Sequence, residues 1–128
     1  MTTQPDQRAS WPAIADLLTR AARCWRAAKD RGAPVQQALH DLLAPRGYGM
    51  MAPVLDSLMR LYEAALGRAL VLGARGGPTP DGALLLSLLD GSKSRRTCID
   101  CAAGPASALD CAICSTRIML GLGAVRAL

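Results

Sequence analysis

Apolar residues recur at helical spacing between Trp11 and about Arg31, and arginines fall on the opposite side of the same stretch. Ser10 is a favoured N-cap residue, Pro12 suits a first helical turn, and Gly32 suits the position after a helix end. The pattern therefore predicts one long amphipathic helix. Its apolar arc carries Ile14, Leu17, Leu18, Ala21, Ala22 and Trp25, and its polar arc carries Arg20, Arg23, Arg26 and Arg31.

Two further helical patterns follow in the first half of the chain. Residues 34–43 predict a short second helix, which Pro45 ends because proline cannot continue it. Pro53 opens a third helix that is predicted to reach Leu70 or Leu72, with a short extended tail as the alternative. Its broad apolar face makes it the predicted centre of the fold. The residues predicted to face away are Asp56, Arg60, Glu63 and Gly67.

The second half of the chain predicts two more helices. Thr79, Pro80 and Asp81 stand in the order of an N-cap, a first-turn proline and a first-turn acid, which predicts a leucine-rich helix ending at Gly91. A last helix is predicted over residues 106–122.

Composition agrees with an all-α fold. Aromatic residues make up 3% of the chain, Phe is absent, and β-branched runs are scarce, so a sheet has little to be built from. We expect a compact domain of four to five helices over residues 10–128, with residues 1–9 as a polar, disordered lead.

The apolar segments predict no membrane association. None approaches the ~18 apolar residues of a membrane-spanning helix, and the first ten residues lack a secretory pattern. A cytoplasmic location is therefore expected, where thiols stay reduced or bind metal.

Four of the five cysteines form two pairs, Cys98-x-x-Cys101 and Cys111-x-x-Cys114, separated by nine residues. Zinc takes four ligands in a tetrahedron and accepts thiolates readily, so the two pairs predict a structural four-cysteine zinc site. The spacer is shorter than the roughly 12–20 residues usual in zinc modules. Because Gly and Pro favour chain reversal, Ala102–Ala106 predicts a turn, which makes residues 97–122 a cysteine hairpin followed by the last helix.

Three other interpretations of these cysteines stay open. An iron–sulfur cluster uses the same ligands, although the ferredoxin spacings are absent. A Cys-x-x-Cys pair can also form a disulfide or act as a thiol–disulfide redox centre. Finally, Cys111, Cys114 and Ile118 share one helical stripe, which is typical of ordinary buried core residues.

The basic residues that flank the cysteines predict a partner. The chain has a net charge of +5, and its densest basic run contains Lys93, Arg95 and Arg96, just before the first pair; Arg117 follows the second pair. These cations would offset the charge of about −2 on a zinc ion with four thiolates. They would also attract nucleic acid or an acidic protein surface.

The leading functional hypothesis is a small non-enzymatic binding or regulatory protein with a structural zinc. The sequence shows no Ser-His-Asp, Cys-His or paired-carboxylate constellation, and His40 is its single histidine. The first alternative is a thiol redox or iron–sulfur sensor. The second is a metal-free interaction protein that forms oligomers through the apolar face of Val54–Leu70.

The passage from Ala52 to Leu89 resembles a family of small α-proteobacterial proteins of unknown function. The similar features are a helix followed by Gly67-Arg68-Ala69-Leu70-Val71-Leu72, then a short loop, Thr79-Pro80-Asp81 and a leucine-rich helix. The family carries cysteines in the loop corresponding to Gly73–Gly77, where this chain has none. The resemblance implies a helical fold and a bacterial cytosolic setting.

Overall fold

A computed structural model describes residues 10–73 and 79–122 of the chain. These residues contain no β-strand, so the all-α prediction is confirmed, with six helices rather than four or five. The disordered lead predicted for residues 1–9 lies outside the described residues. The helices are α1 (Trp11–Asp30), α2 (Val35–Leu43), α3 (Ala52–Leu66), α4 (Pro80–Asp90), α5 (Arg95–Cys98) and α6 (Ala103–Met119), with short 3-10 turns at Ala44–Arg46 and Gly49–Met51.

Helix α3 lies at the centre of the fold, as predicted. It packs mainly against α6 and also contacts α1 and α2, which form an adjacent pair. One hydrophobic core joins these helices. Its largest fully buried side chains include Trp25, Leu18, Leu39, Leu55, Leu58, Met59, Tyr62, Leu89 and Leu109.

Asp56 corrects the predicted outward face of α3. It is 8% exposed, and its carboxylate accepts hydrogen bonds from Trp25 Nε1 and Gln36 Nε2, each at 2.9 Å. The position shares the core side of α3 with Leu55 and Met59. A carboxylate is tolerated there because α1 and α2 supply N–H donors that replace its water.

The end of α3 is also corrected, since the helix stops at Leu66 rather than at residue 70 or 72. Gly67 takes a left-handed conformation, φ +74°, and its N–H donates to the Glu63 carbonyl at 2.9 Å. Beyond it, the N–H of Leu70 donates to the Glu63 carboxylate and that of Val71 to Asp81 Oδ2. The two carboxylates thus supply acceptors that the helix no longer provides.

The predicted start and end of α4 are confirmed. Thr79 Oγ1 accepts a hydrogen bond from the Gly82 N–H at 3.1 Å, and Gly91 closes the helix with φ +85°. Asp81 lies in the first turn, and its carboxylate accepts hydrogen bonds from both terminal nitrogens of Arg68, at 2.6 and 2.7 Å. This pairing ties the N-terminus of α4 to the segment after α3.

The turn predicted at Ala102–Ala106 is wrong. Helix α6 begins at Ala103, so Gly104 and Pro105 belong to its first turn. Proline is tolerated in a first turn because its missing N–H would have no helical partner there. The cysteine hairpin predicted for residues 97–122 is therefore replaced by the short helix α5, a four-residue connection and α6.

Candidate interaction surface on helix α6

The segment between α4 and α6 runs along α6 in the opposite direction. At its start, the Arg117 guanidinium donates to the Leu89 carbonyl at the end of α4. Further on, Arg95 forms two hydrogen bonds with the Asp110 carboxylate, at 2.8 and 3.0 Å. The contacts with Arg117 and then with Asp110 fix the position of this segment along α6 before the chain enters that helix at Ala103.

This register determines where the four cysteines lie. Cys98 ends α5 and Cys101 lies in the connection to α6, both beyond the Arg95 contact, whereas Cys111 and Cys114 lie on α6 itself. No disulfide joins them. In the described parts of the chain, no three His, Cys, Asp or Glu side chains lie close enough to hold one metal ion. The arrangement does not fit a preformed four-thiolate cage, and the zinc site stays a prediction.

The interpretation of Cys111, Cys114 and Ile118 as a core stripe is wrong. Cys111 is exposed, Cys114 is half-buried, and the Ile118 side chain is 56% exposed. The buried arc of α6 is a different one. It consists of Ala106, Leu109, Ile113, Thr116 and Leu120, the last just past the helix end.

Cys24, the remaining cysteine, is half-buried on α1 and packs against the core. Burial raises the pKa of its thiol above the ordinary value, while Arg31 acts in the opposite direction. Because the thiolate is the nucleophile, Cys24 is expected to react slowly with thiol reagents.

The four predicted partner-binding cations divide into two kinds. Arg95 has a side chain only 12% exposed, and hydrogen bonding to Asp110 raises the pKa of its guanidinium. Arg117 is half-buried and bonds backbone carbonyls. Lys93 and Arg96 are exposed. The structure therefore leaves Lys93 and Arg96 to present charge outward, while Arg95 and Arg117 hold the segment against α6.

The surface of α6 that points away from the core carries small and apolar side chains. We call this surface the outer face of α6; it consists of Gly104, Ser107, Cys111, Ser115, Ile118 and Met119, all exposed. The charged residues of the helix are Asp110 and Arg117, and both are engaged within the fold. Ile118 and Met119, 56% and 42% exposed, make its C-terminal end apolar.

Sequence reasoning missed this face because hydrophobicity does not distinguish the two arcs of α6. Both carry apolar residues, Leu109 and Ile113 on one and Cys111 and Ile118 on the other. The available signal was size, since the largest aliphatic side chains near the helix centre, Leu109 and Ile113, mark the buried arc.

One shallow concavity lies on α3, away from the cysteines. It has a volume of about 290 Å³, is lined by Ser57, Arg60 and Leu61 and opens widely to solvent. It holds one ionisable group, so it carries no acid–base pair.

No family model, curated protein or solved structure matches the chain. Within residues 10–73 and 79–122, every helix is too short or too polar to cross a membrane.

Proposed function

We propose that this chain is a small non-enzymatic interaction protein that binds a helix of a protein partner along the outer face of α6. The observation that supports this is the absence of unpaired charge on that face, on a chain with 20% charged residues and a net charge of +5. Among the three hypotheses, this is the metal-free interaction protein, but with α6 rather than Val54–Leu70 as its surface.

The residue types suit helix pairing. Two helices pack with their axes about 8–10 Å apart, and small side chains permit the closer distances. Gly104, Ser107 and Cys111 leave the backbone accessible, while Ile118 and Met119 supply apolar area. Each Å² of apolar surface removed from water contributes roughly 25 cal/mol. The face thus offers close approach at one end and hydrophobic burial at the other.

Lys93 and Arg96 give the proposed partner an orientation. They are exposed on the segment that runs along α6, so acids beside the partner helix can pair with them. Such peripheral charges increase association rate and specificity more than affinity. Nucleic acid is the weaker candidate partner, since two of the four basic residues already bond within the fold.

The cysteines act as free thiols in this proposal, as expected in the cytosol. A four-thiolate zinc site or an iron–sulfur cluster would require the cysteines to move, because no three potential ligands among the described residues lie close enough to share one metal ion. The redox-sensor hypothesis stays a prediction that thiol titration under oxidising conditions can test.

Alkylation of Cys111 tests the proposal. N-ethylmaleimide is applied to the dilute purified chain and to intact cells of the source organism, and modification at Cys111 is divided by that at Cys98. Both thiols are exposed, but only Cys111 lies on the outer face. We expect the Cys111/Cys98 ratio to fall several-fold in cells, because a bound helix covers Cys111.

A pair of variants controls this experiment. Ser115→Arg places a charge on the outer face, whereas Gln37→Arg places the same charge at an exposed position of α2. Ser115→Arg should restore the ratio of the dilute protein, and Gln37→Arg should leave the protection intact. Equal ratios in dilute solution, in concentrated solution and in cells would refute the proposed function.

A further inference from the structure

The outer face of α6 is small at one end and large at the other. A Cβ atom added at Gly104 would meet nothing within 4 Å, so the space above it is open. Ile118 and Met119, at the opposite end, project apolar side chains into solvent. A face with a hollow at one end and a protrusion at the other can complement a reversed copy of itself.

Cys111 lies at the midpoint of this face. Gly104 and Ile118 are each seven residues away, and Ser107 and Ser115 are each four residues away. Seven residues are close to two turns, so residues 104, 111 and 118 follow one line with a drift of about 20° per heptad. At 1.5 Å per residue, the two ends lie roughly 10 Å on either side of Cys111.

We propose that the partner helix is α6 of a second copy of this chain, packed antiparallel about a two-fold axis through Cys111. This inference rests on the proposed function. The axis lays Ile118 of each copy over Gly104 of the other and brings Ser107 opposite Ser115. A parallel pair would instead place Ile118 against Ile118 and leave two hollows at Gly104. Two-fold pairing through one shared patch is the commonest form of homodimer.

Charge restricts where two copies can meet. Two copies that each carry +5 repel, so their contact must avoid unpaired cations. The outer face of α6 meets that requirement because Asp110 is neutralised by Arg95. The antiparallel arrangement also sets the N-terminus of one helix beside the C-terminus of the other, where their dipoles attract. Added salt should therefore strengthen the dimer by screening the net repulsion.

The contact is small. One helix pair buries less than the ~800 Å² per partner of a standard interface, so we expect a reversible dimer with Kd of roughly 1–100 μM. A dilute solution then contains mainly monomer, and concentration drives the pairing.

The two Cys111 thiols provide a chemical probe of the axis. With helix axes about 9–10 Å apart and Cα atoms about 2.3 Å from each axis, the facing Cα atoms lie within reach of a disulfide. When oxidised glutathione is added, two Cys111 thiols form one S–S bond, and the glutathione disulfide takes up two electrons and two protons to become two thiols.

Sedimentation velocity between about 1 and 500 μM in reducing buffer tests the pairing. We expect a concentration-dependent dimer for the wild type and for Gln37→Arg. Ser115→Arg should raise Kd about tenfold or more, because each dimer would bury two unpaired cations. A wild type that stays monomeric throughout would overturn self-pairing. If Cys111 is nevertheless protected in cells, the proposed function stands with another protein as partner; if it is not, both proposals fail.

Cross-linking identifies the axis and the direction. Glutathione should give a covalent dimer linked through Cys111 in the wild type and in Cys98→Ser, and Cys111→Ser should lose it. For direction, Gly104→Cys and Ile118→Cys are made separately in the Cys111→Ser background and mixed. Antiparallel pairing predicts mainly mixed dimers joined between positions 104 and 118. Dimers joined like to like at these positions would overturn the antiparallel arrangement.

Discussion

Helices α1 and α6 are the longest in the described residues, at 20 and 17 residues, and their solvent-exposed faces differ in charge. The outward side of α1 is charged and internally paired, with Arg20–Asp16 at 3.0 Å and Arg26–Asp30 at 2.8 Å. The outer face of α6 has no unpaired charge and exposes two large apolar side chains. The surface of α1 is hydrated and carries its own ion pairs, whereas the outer face of α6 is the surface proposed to bind another helix.

The ion pairs on α1 contribute little stability, about 0.3–0.5 kcal/mol each at helical spacing. Their consequence is solubility, since they keep that side of the domain hydrated. Lys29 adds to this by placing its Nζ over the ring of buried Trp25, 4.9 Å from the ring centroid. The charges on α1 therefore mark a face exposed to solvent, whereas the face with fewer charges, on α6, is the one to which we assign the proposed partner.

The largest predicted effect separates the two arcs of α6. Leu109 is fully buried, so Leu109→Ala should lower the free energy of unfolding by about 2–5 kcal/mol through lost burial and a cavity. Cys111→Ala, two residues later on the outer face, should change it by less than about 0.5 kcal/mol. Urea unfolding in reducing buffer measures both. Similar costs for the two variants would mean that the arcs are wrongly assigned.

The second prediction compares a buried carboxylate with the surface carboxylates of α1. Hydrogen bonding to Arg68 holds the pKa of Asp81 below its usual value, and the Val71 N–H acts in the same direction. Asp81→Asn should cost about 1–3 kcal/mol at pH 7, because it removes a charge-assisted pair and leaves an imperfect acceptor. Asp16→Asn on α1 should cost less than about 0.5 kcal/mol.

The pH dependence of this difference follows from the sign of the pKa shift. A carboxyl whose folded pKa is depressed stabilises the fold above the unfolded pKa of about 3.9, and that stability is lost as pH falls below it. The gap between wild type and Asp81→Asn should therefore be full at pH 7 and narrow below about pH 3.5. A gap independent of pH would indicate that the carboxylate charge contributes nothing.

The third prediction tests the segment that fixes the register along α6. Arg95→Ala should lower the free energy of unfolding by about 1 kcal/mol, a modest value because Asp110 is half exposed. It should also speed alkylation of half-buried Cys101, since the connection loosens. Lys93→Ala, an exposed cation two residues earlier, should do neither. If Lys93→Ala has the larger effect, the assigned roles of the two cations are reversed.

Local chemistry made part of the fold predictable. The start of α1 follows from Pro12 in its first turn and that of α4 from the Thr79 cap, effects that lie within one turn, whereas the Ser10 side chain makes no capping hydrogen bond. The end of α3 was missed because Leu70 and Val71 continue the apolar pattern. The helix ends earlier because Gly67 takes the left-handed conformation. Gly104 and Pro105 suit a reverse turn and a first helical turn equally well, so sequence alone could not choose between them.

The candidate surface was less predictable because it depends on contacts distant in sequence. Arg95 finds Asp110 fifteen residues away, and Arg117 finds the Leu89 carbonyl twenty-eight residues away. Those two contacts determine which basic residues stay exposed and how the cysteine pairs are placed. The spacing of the cysteines identifies four thiols as candidate ligands. It does not predict how the segment before α6 aligns with α6, because the two meet only after folding.

The smallest predicted effect concerns metal. Because no three Cys, His, Asp or Glu side chains of the described residues lie close enough to share one metal ion, we expect the fold to need no zinc, and EDTA should leave Tm unchanged within about 1 °C. Elemental analysis of protein purified without added metal should find well under one zinc per chain, with all five thiols titratable after denaturation. One tightly bound zinc, a large loss of Tm on chelation and four thiols released together would show that the cysteine pairs converge. Residues 98–101 would then have to move from their place along α6. The difference between α6 and α1 would in that case reflect a metal site at α6 rather than a surface for a second helix.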